Sequence, residues 1–373
     1  MSGLERAWWT ERPAGLQRLG LAPLWPAEAL FRGAVWLRGV AYRRRWLRVD
    51  AAPAPVISVG NVAVGGAGKT PVTLAIATRL AARGRRVAVL SRGYGAVRTD
   101  PRVVSDGERV LLPAEEGGDE PVLLARRLPG VRVLCGPRRA ELAALATGRL
   151  GANALLLDDG FQHRALARDL DVVVLDAANP FGNGHLLPVG PNREPRRALD
   201  RAGLVWLSRV DQAAPELLER LRVLAFRSTG RGPVESRHAP LDLLDGSLGR
   251  SRGLAAARGK RVLLLSGLAR PGAFRRTVEG LGAEVVGERR HPDHHRFTGA
   301  DLDAARSAAD AARAELILTT EKDAVRLPAA FAAEPRLAVV RIEAELLAGD
   351  AALQAVLEAA LAAGDRRARA ARP

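Results

Sequence analysis

Two hydrophobic patterns divide the chain near residue 50. Before that point, apolar residues at Leu30, Ala34, Leu37 and Ala41 recur at helical spacing within the segment 24–42. Beyond it, short continuous apolar runs alternate with longer stretches rich in Ala, Leu and Arg. Such runs are typical of parallel strands that helices cover on both faces. The pattern therefore predicts an amphipathic N-terminal helix followed by an α/β protein.

The α/β part contains two sets of predicted elements, separated by a polar stretch with Gly and Pro near residues 228–252. The predicted strands are 56–59, 86–90, 131–134, 154–157, 172–175 and 204–207, then 262–265, 284–286, 316–319 and 337–342. The main predicted helices are 70–83, 271–281, 299–313 and 347–363. We therefore predict a helical region 1–50, a core domain 51–230, an interdomain linker 231–255, a smaller α/β domain 256–365 and a disordered basic tail 366–373.

The N-terminal region carries five of the six tryptophans and ends in the cluster Arg43-Arg44-Arg45. Glu28, Arg32 and Arg38 interrupt its apolar stretch, and a spanning helix tolerates few charges. Trp and Arg at the border of an apolar face suit a helix that lies in a membrane interface. The alternative is a helix packed on the protein's own core. Residues 1–12 lack an apolar core, so we expect no cleavable signal peptide.

Composition narrows the classes of partner. The formal net charge is +16, which favours nucleotides, phospholipid surfaces or nucleic acid, although a general bias toward Arg would also produce it. Cys135 is the single cysteine, which excludes an intrachain disulfide and a cysteine-based zinc site.

The strongest chemical signal is a glycine loop between the first strand and the first helix of the core. Of 57 basic residues only Lys69, Lys260 and Lys322 are lysines, and Lys69 stands in this loop. A strand, a glycine loop and a Lys-Thr helix start form a phosphate-binding P-loop. Lys69 is expected to contact the β- and γ-phosphates and Thr70 to bind Mg²⁺. The predicted nucleotide-binding residues are Ala63, Val64, Gly65, Gly66, Ala67, Gly68, Lys69, Thr70 and Arg92.

Three further groups of polar residues are candidates for chemistry. Asp158 and Asp159 end an apolar strand at the sheet edge that carries the P-loop, where they bind Mg²⁺ or cap a helix. Asp119 and Glu120 precede a helix, where they serve as caps or as a catalytic base and a metal ligand. The segment 291–295 holds three of the six histidines, including His294, for a metal or for a catalytic cleft.

Together these motifs resemble the tetraacyldisaccharide 4′-kinase family of lipid A biosynthesis over about residues 20–345. The matching motifs are Val59-Gly60-Asn61, Gly65-Gly66-Ala67-Gly68-Lys69-Thr70-Pro71, Ser91-Arg92-Gly93-Tyr94-Gly95, Gly118-Asp119-Glu120-Pro121, Asp158-Asp159-Gly160-Phe161-Gln162-His163, Phe181-Gly182-Asn183-Gly184-His185-Leu186-Leu187-Pro188, Pro292-Asp293-His294-His295 and Thr320-Glu321-Lys322-Asp323-Ala324-Val325. The chain departs from the family at Ala63, where Thr is usual, and at Asn192, where a hydrophobic residue is usual.

The resemblance implies a P-loop NTPase-type fold and an ATP- and Mg²⁺-dependent kinase. Its substrate would be an acylated glucosamine disaccharide 1-phosphate, phosphorylated at the 4′-hydroxyl on the cytoplasmic face of the inner membrane. Asp119 would be the base, oriented by His294, and Asp158 the Mg²⁺ ligand with Asp159 and Glu120 in support. An anionic membrane surface is an expected partner, whereas nucleic acid and an obligate protein partner are not.

Two alternative functions can be compared with features of the sequence. A P-loop GTPase or metallochaperone would load metal on the histidine cluster, but it needs an Asn-Lys-x-Asp motif, and none occurs here. A nucleic-acid binder accounts for the charge alone and leaves Asp158 and Asp159 unexplained.

Overall fold

The computed structural model describes residues 7–10, 21–93 and 100–370. Tyr94 and Gly95 of the motif Ser91-Arg92-Gly93-Tyr94-Gly95 lie outside the described residues. The strands are β1 Val56–Gly60, β2 Val87–Ser91, β3 Arg102–Ser105, β4 Arg132–Cys135, β5 Ala154–Asp158, β6 Leu170–Asp176, β7 Leu204–Ser208, β8 Val234–Asp245, β9 Arg261–Ser266, β10 Glu284–Arg290, β11 Leu316–Thr320 and β12 Leu337–Ala348. All ten predicted strands are confirmed.

Helices connect most of these strands. They are α1 Trp25–Arg43, α2 Lys69–Ala82, α3 Ala114–Gly117, α4 Asp119–Arg127, α5 Arg139–Gly148, α6 Pro215–Thr229, α7 Pro271–Gly280, α8 Gly299–Ala311, α9 Glu321–Ala324, α10 Ala329–Ala332 and α11 Asp350–Ala370. Short 3₁₀ turns lie at Ala22–Leu24, Arg196–Arg201, Val210–Gln212 and Leu254–Ala257. Within the described part of the chain, no helix is both long and apolar enough to cross a membrane.

The strands form one mixed sheet in the order β10-β9-β11-β12-β8-β7-β6-β1-β5-β2-β4-β3. Among the described strands, β8 pairs antiparallel with β12 and β3 pairs antiparallel with β4, while the other pairings are parallel. The predicted linker 231–255 therefore contains β8, whose hydrogen bonds to β7 and β12 join the two sets of strands. The division into two domains stays a prediction.

Helices cover both faces of the central strands, as the continuous apolar runs predict. Side chains alternate along a strand, so Ile57 packs in one cluster with α2 and α11, while Val56 packs in another with α5. The predicted disordered tail begins inside α11, which continues to Ala370. Arg367 on this last stretch pairs with the buried carboxylate of Asp169, and this contact holds the helix end against the sheet.

Parallel pairing brings the carboxyl ends of the central strands to one edge. Val59 near the end of β1 is in register with Asp158 at the end of β5. The ends of β2, β6 and β7 reach the same edge because β1, β2, β5, β6 and β7 are neighbours that all run in the same direction. Ligands of open α/β sheets bind outside this edge.

Helix α1, all of whose residues the structure describes, buries one residue, the acidic Glu28. Glu28 accepts hydrogen bonds from the backbone N–H of Leu186 at 3.0 Å and lies 3.0 Å from Nδ1 of His185. Several apolar side chains of α1 are exposed, among them Trp36, which is 53% exposed, and Leu30, which is 77% exposed. Polar contacts thus attach α1 to the rest of the protein, while part of its apolar surface is uncovered.

Candidate active site

The loop between β1 and α2 turns through two glycines with left-handed backbone angles. Gly65 and Gly68 adopt left-handed backbone angles, with φ of 87° and 84°. A Cβ at Gly68 would lie 2.6 Å from Nε2 of His238, so glycine is required there for space as well as for conformation. The loop is fixed from outside by the Ser208 hydroxyl, which donates to the carbonyl oxygen of Ala67 at 2.7 Å.

The two aspartates after β5 differ in position. Asp158 is buried and accepts hydrogen bonds from the hydroxyls of Thr73 at 3.0 Å and Ser91 at 3.3 Å. Asp159 faces the cavity, with Oδ1 3.6 Å from Nζ of Lys69 and Oδ2 accepting from Nη1 of Arg193 at 2.8 Å. The structure thus brings Lys69 and the aspartate pair together, as the sequence predicts.

These positions push the pKa values of the two carboxyls apart. Burial, the Glu120 carboxylate and Asp159 raise the pKa of Asp158 to about 7. Burial also acts to raise the pKa of Asp159, but the charges of Lys69 and Arg193 outweigh it and hold that pKa at about 2. The site therefore contains a firmly ionised Asp159 beside a buried carboxyl whose pKa of about 7 lies near neutrality.

Asp119 and His294, which come from distant parts of the chain, contact each other through their side chains. Asp119 is the first residue of α4, and His294 lies in the connection between β10 and α8, with a positive φ of 60°. Nδ1 of His294 lies 3.0 Å from Oδ2 of Asp119. The side chain of Arg326 also approaches this carboxylate, with Nε 3.5 Å from Oδ2. Asp119 is therefore held between an imidazole and a guanidinium.

One cavity of about 900 Å³ joins these groups. Its walls include the P-loop from Val64 to Thr70 on one side and Glu120 and His294 on another. Leu268, Phe274 and Ile342 supply an apolar wall from the second set of strands. A volume of this size accommodates a nucleotide-sized ligand. The cavity thus places the glycine loop and the His294 imidazole around one space, with Asp119 behind the imidazole.

Another part of the cavity wall is strongly cationic. Arg38, Arg92 and Arg139 all line it. The Arg139 guanidinium is buried, and its Nε atom has no hydrogen-bond partner among the described residues. Burial lowers the pKa of Arg139 to about 10, so the group stays protonated at neutral pH. Burial and the neighbouring guanidiniums lower the pKa of His163 to about 4. This region is suited to an anionic group of a ligand.

Comparison with known proteins shows the family to which the chain belongs. The family described as tetraacyldisaccharide-1-P 4′-kinase matches residues 21–362. The chain belongs to this family. A tetraacyldisaccharide 4′-kinase of an Anaeromyxobacter species is 69% identical over 365 residues, 98% of each chain. A protein of the same name from Syntrophus aciditrophicus is 44% identical over 305 residues, which cover 80% of this chain and 82% of the relative.

A solved structure of the family supports the fold. A crystal structure of LpxK from Aquifex aeolicus, an "apo" form in complex with ATP, matches with a TM-score of 0.74 and 29% identity. The match covers 91% of this chain and 99% of the Aquifex chain. The resemblance inferred from the motifs is therefore confirmed. Membership of this kinase family does not favour the GTPase or metallochaperone alternative.

The two departures from the family pattern contact each other. Ala63 forms an isolated antiparallel bridge with Asn192. Nδ2 of Asn192 donates to the carbonyl oxygens of Phe181 at 2.9 Å and His185 at 2.8 Å. Ala63 is buried beside this turn, while Val64 to Thr70 line the cavity. Ala63 is therefore buried next to the loop and does not line the cavity, although the sequence predicts it among the nucleotide-binding residues.

The sequence analysis did not identify a further buried carboxylate at this edge of the sheet. Asp176 ends β6, is buried, and pairs with both Arg209 and Arg270. Nη1 of Arg209 also donates to the carbonyl oxygen of Gly66 at 2.8 Å, which links this cluster to the P-loop. Asp176 follows an apolar strand as Asp158 does, so the same signal could have found it. Its partner Arg270 comes from the second set of strands and carries no local signal.

The histidine cluster divides into two parts. His294 turns to Asp119, whereas His291 and His295 stack with ring centroids 4.4 Å apart near Asp301. Oδ2 of Asp301 already accepts from Thr298 in a helix capping box and lies 2.9 Å from Nε2 of His295. The ligand atoms of His291, His295 and Asp301 lie within 4.8 Å of one another, but the Asp301 carboxylate is already engaged by Thr298 and His295. The stacked pair therefore serves packing and capping in this arrangement.

Proposed function

We propose that this protein transfers the γ-phosphoryl group of ATP to the 4′-hydroxyl of a tetraacylated glucosamine disaccharide 1-phosphate, forming lipid IVA. The observation that carries the proposal is the shared cavity, in which a P-loop lysine and His294, the partner of Asp119, face one ligand space in a member of this kinase family. The Aquifex relative in complex with ATP supports the choice of nucleotide.

The P-loop would hold the donor phosphates. Its amide groups and the N-terminus of α2 attract anions, and Lys69 stands at the first turn of this helix. Asp159 keeps the Lys69 ammonium in place at 3.6 Å before nucleotide binds. Lys69 would then contact the β- and γ-phosphates, and Arg92 at the cavity wall would contact phosphate from a second side.

The carboxylates beside the P-loop would hold a magnesium ion, although ligand oxygens of Asp158, Asp159 and Glu120 do not all lie within 4.8 Å of one another in this arrangement. Asp158 is a buried acid whose pKa rises to about 7 because of burial and neighbouring carboxylates, and a divalent cation would relieve this unfavourable charge. Oδ1 of Asp159 is buried without a hydrogen-bond partner among the described atoms. With Thr70 and Glu120, these residues offer the oxygen ligands that Mg²⁺ prefers. The ion would neutralise charge on the transferred phosphoryl group.

Asp119 would act as the general base. A sugar hydroxyl is a weak nucleophile, so its proton passes to the Asp119 carboxylate as the oxygen bonds to the γ-phosphorus. The bond from that phosphorus to the β–γ bridging oxygen breaks, and ADP leaves. His294 orients the carboxylate through its contact at 3.0 Å, and Lys69 with the loop amides stabilises the charge that develops.

The acceptor is a lipid, and the surface of the protein is suited to one. Trp25, Trp36 and Trp46 are exposed on or near α1, and the arginines 43–45 lie between Trp36 and Trp46. Such a helix lies in an interface with tryptophans at headgroup depth and arginines against anionic phosphates. The enzyme would then work peripherally on the cytoplasmic face of the inner membrane. The cationic region around Arg139 would receive an anionic group of the acceptor.

The proposal is tested by nucleotide turnover with and without the acylated disaccharide 1-phosphate in mixed micelles. We expect ADP formation to depend on the lipid and on Mg²⁺, with one phosphate transferred to the disaccharide for each ADP. An acceptor lacking the 4′-hydroxyl is the matched control and should leave only slow background hydrolysis. Rapid hydrolysis that ignores the lipid, or a preference for GTP, would overturn the proposal.

A further inference from the structure

Two adjacent residues at the end of β7 hold the backbone of the P-loop. The Ser208 hydroxyl donates to the carbonyl oxygen of Ala67 at 2.7 Å, and Nη1 of Arg209 donates to the carbonyl oxygen of Gly66 at 2.8 Å. Ser208 is the last residue of β7, which pairs with β6 inside the sheet, and Arg209 follows it directly. Both contacts therefore reach the loop from a strand that the sheet holds in place.

These contacts fix the direction of two peptide groups in the loop. In a trans peptide the C=O and the N–H that follows it point in opposite directions. With the Gly66 and Ala67 carbonyls turned to the end of β7, the N–H groups of Ala67 and Gly68 point away from that strand. Backbone amides of a P-loop bind phosphate oxygens. The two carbonyl contacts therefore set the geometry of the peptide groups that would receive phosphate.

Arg209 occupies its position in a strained conformation. Its φ of 54° lies in the left-handed region, which a non-glycine residue seldom adopts and which persists only where the surroundings impose it. The guanidinium pairs with the buried carboxylate of Asp176 at the end of β6, and Nε donates to Nδ1 of His238 at 3.3 Å. The five N–H groups of an arginine point in fixed directions and can serve these acceptors and the Gly66 carbonyl together.

The carboxylate that holds Arg209 is itself fixed by other parts of the chain. Asp176 also pairs with Arg270, which lies between β9 and α7 in the second set of strands. The guanidinium of Arg270 lies 4.2 Å from the ring centroid of Trp9, and the backbone N–H of Ala178 donates to Oδ1 of Asp176 at 3.1 Å. Asp176 therefore offers Arg209 a partner whose own position is set from several sides.

We propose that Arg209 is a positioning residue for the nucleotide, whose guanidinium, held by Asp176, fixes the Gly66 carbonyl and so preorganises the P-loop for the phosphates of ATP. The inference rests on the proposed function, because it assigns Arg209 a task in binding the donor of that reaction. A glycine loop needs such support, since glycine leaves its peptide groups free to rotate. Arg209 acts through the loop backbone, whereas Lys69 would contact the phosphates.

The first test compares the full-length wild type with Arg209→Gly and Arg313→Gly. Glycine accepts a positive φ, so Arg209→Gly removes the guanidinium and the backbone strain together. Arg313, an exposed arginine with a φ of 49° after α8, is the matched control, because Arg313→Gly relieves the same kind of strain away from the cavity. Calorimetric titration without lipid measures the Kd for ATP and for ADP at constant Mg²⁺. Kinetics with the acylated disaccharide give kcat and the KM for ATP.

We expect Arg209→Gly to weaken the binding of ATP and ADP by the same factor, on the order of tenfold, because the loop loses preorganisation and keeps its phosphate contacts. The KM for ATP should rise while kcat changes little, since the loss applies equally to the bound ground state and the transition state. Arg313→Gly should match the wild type. Weakening confined to ATP would mean that Arg209 touches the γ-phosphate and would overturn the inference, as would unchanged binding or a lower kcat with an unchanged KM.

Asp176→Asn is a second test, for which a positioning role and a direct phosphate contact of Arg209 predict opposite results. The amide keeps the shape of the side chain but offers one acceptor oxygen in place of two, so the guanidinium is held less firmly and both nucleotides should bind more weakly. A guanidinium that bound phosphate directly would instead gain free positive charge, and nucleotide binding would tighten. Tighter or unchanged binding would overturn the inference even if Arg209→Gly does not fold.

The double variant shows whether the two residues act together. Because Asp176 acts through Arg209, Arg209→Gly combined with Asp176→Asn should bind nucleotide no worse than Arg209→Gly alone, and additive losses of binding free energy would overturn the inference. None of these results touches the proposed function, which fails only if the wild type itself does not phosphorylate the disaccharide.

Discussion

Nδ1 of His294 lies 3.0 Å from Oδ2 of Asp119, although 175 positions separate the two residues in the sequence. Asp119 begins α4 beside the core strands, and His294 follows β10 at the far end of the sheet order. The pair therefore forms only when the second set of strands folds back over the P-loop edge. If the proposed base Asp119 is oriented by a residue from the other part of the chain, closure over substrate would adjust the geometry of the pair.

The pair should behave as one catalytic unit. Asp119→Ala and His294→Ala should each lower kcat by a factor on the order of 10²–10⁴, the range for loss of general-base assistance. Because His294 acts through Asp119, the double variant should be little worse than the poorer single variant. Asp303→Ala, which removes an exposed carboxylate of α8, is the control and should keep wild-type turnover. Fully multiplicative losses would mean that the two residues act independently.

The sequence predicts the core strands well because their signal is local. β1, β5 and β7 are fully buried and are therefore predominantly apolar in sequence. The sequence does not reveal β8, because this strand alternates polar and apolar residues, contains Pro240 and gains its stability from pairing with β12. β3 is missed for a related reason, since it is a short strand at the edge of the sheet.

The candidate site is predictable only in part. The spacing of Gly65 to Thr70 identifies the P-loop, and Asp158 follows from its place at a strand end. For Asp119 the local sequence leaves helix capping and catalysis equally open, and the partner His294 comes from the family resemblance. Contacts between distant segments, such as Arg270 with Asp176, arise from the fold and leave no trace in local spacing.

Lys69 should be needed for turnover and not for folding. Its side chain faces the cavity and contacts Asp159 at 3.6 Å, so Lys69→Ala should remove most phosphoryl transfer while the thermal unfolding temperature changes little. Lys69→Arg should also be poorly active, because a planar fork does not replace a compact ammonium inside the loop. Lys260→Arg is the matched control. Near-wild-type turnover of Lys69→Arg would contradict the assigned role.

The ionised Asp158 carboxylate should destabilise the folded protein in the absence of a metal ion. Its pKa is about 7 in the folded protein and near 3.8 when unperturbed, so the protonated carboxyl is the form that the fold favours. The stability from this group is fully present below about pH 4 and is lost as the pH rises to about 7. Asp158→Asn keeps the shape and removes the charge, so its advantage over wild type should grow between pH 5 and 8 by on the order of 2 kcal/mol.

Chemical denaturation in EDTA measures this difference, with Asp303→Asn as the control. Added Mg²⁺ should stabilise the wild type at pH 8 more than it stabilises Asp158→Asn, because the variant lacks the carboxylate proposed to hold the ion. A variant equally destabilised at both pH values would show that the hydrogen bonds from Thr73 and Ser91, rather than the buried charge, dominate at this position.

Helix α1 should bring the cavity to the lipid surface. Replacing Arg43, Arg44 and Arg45 with Ser should weaken binding to anionic vesicles, and added salt should weaken the wild type in the same way, because these exposed charges are screened. The KM for lipid acceptor in vesicles should rise more than the KM for ATP. The matched control replaces Arg366 and Arg369, exposed arginines at the end of α11, and should bind vesicles as the wild type does.

Removal of residues 20–48 separates the two roles that α1 can have. Glu28 joins the helix to the backbone of Leu186, so the truncated protein should lose some stability in either case. If α1 docks on the membrane, truncation should also abolish vesicle binding, since the exposed Trp25, Leu30 and Trp36 leave with it. Sedimentation with vesicles of defined charge distinguishes these effects. A truncated protein that still binds vesicles fully, or wild-type binding that ignores salt and lipid charge, would make α1 a structural brace.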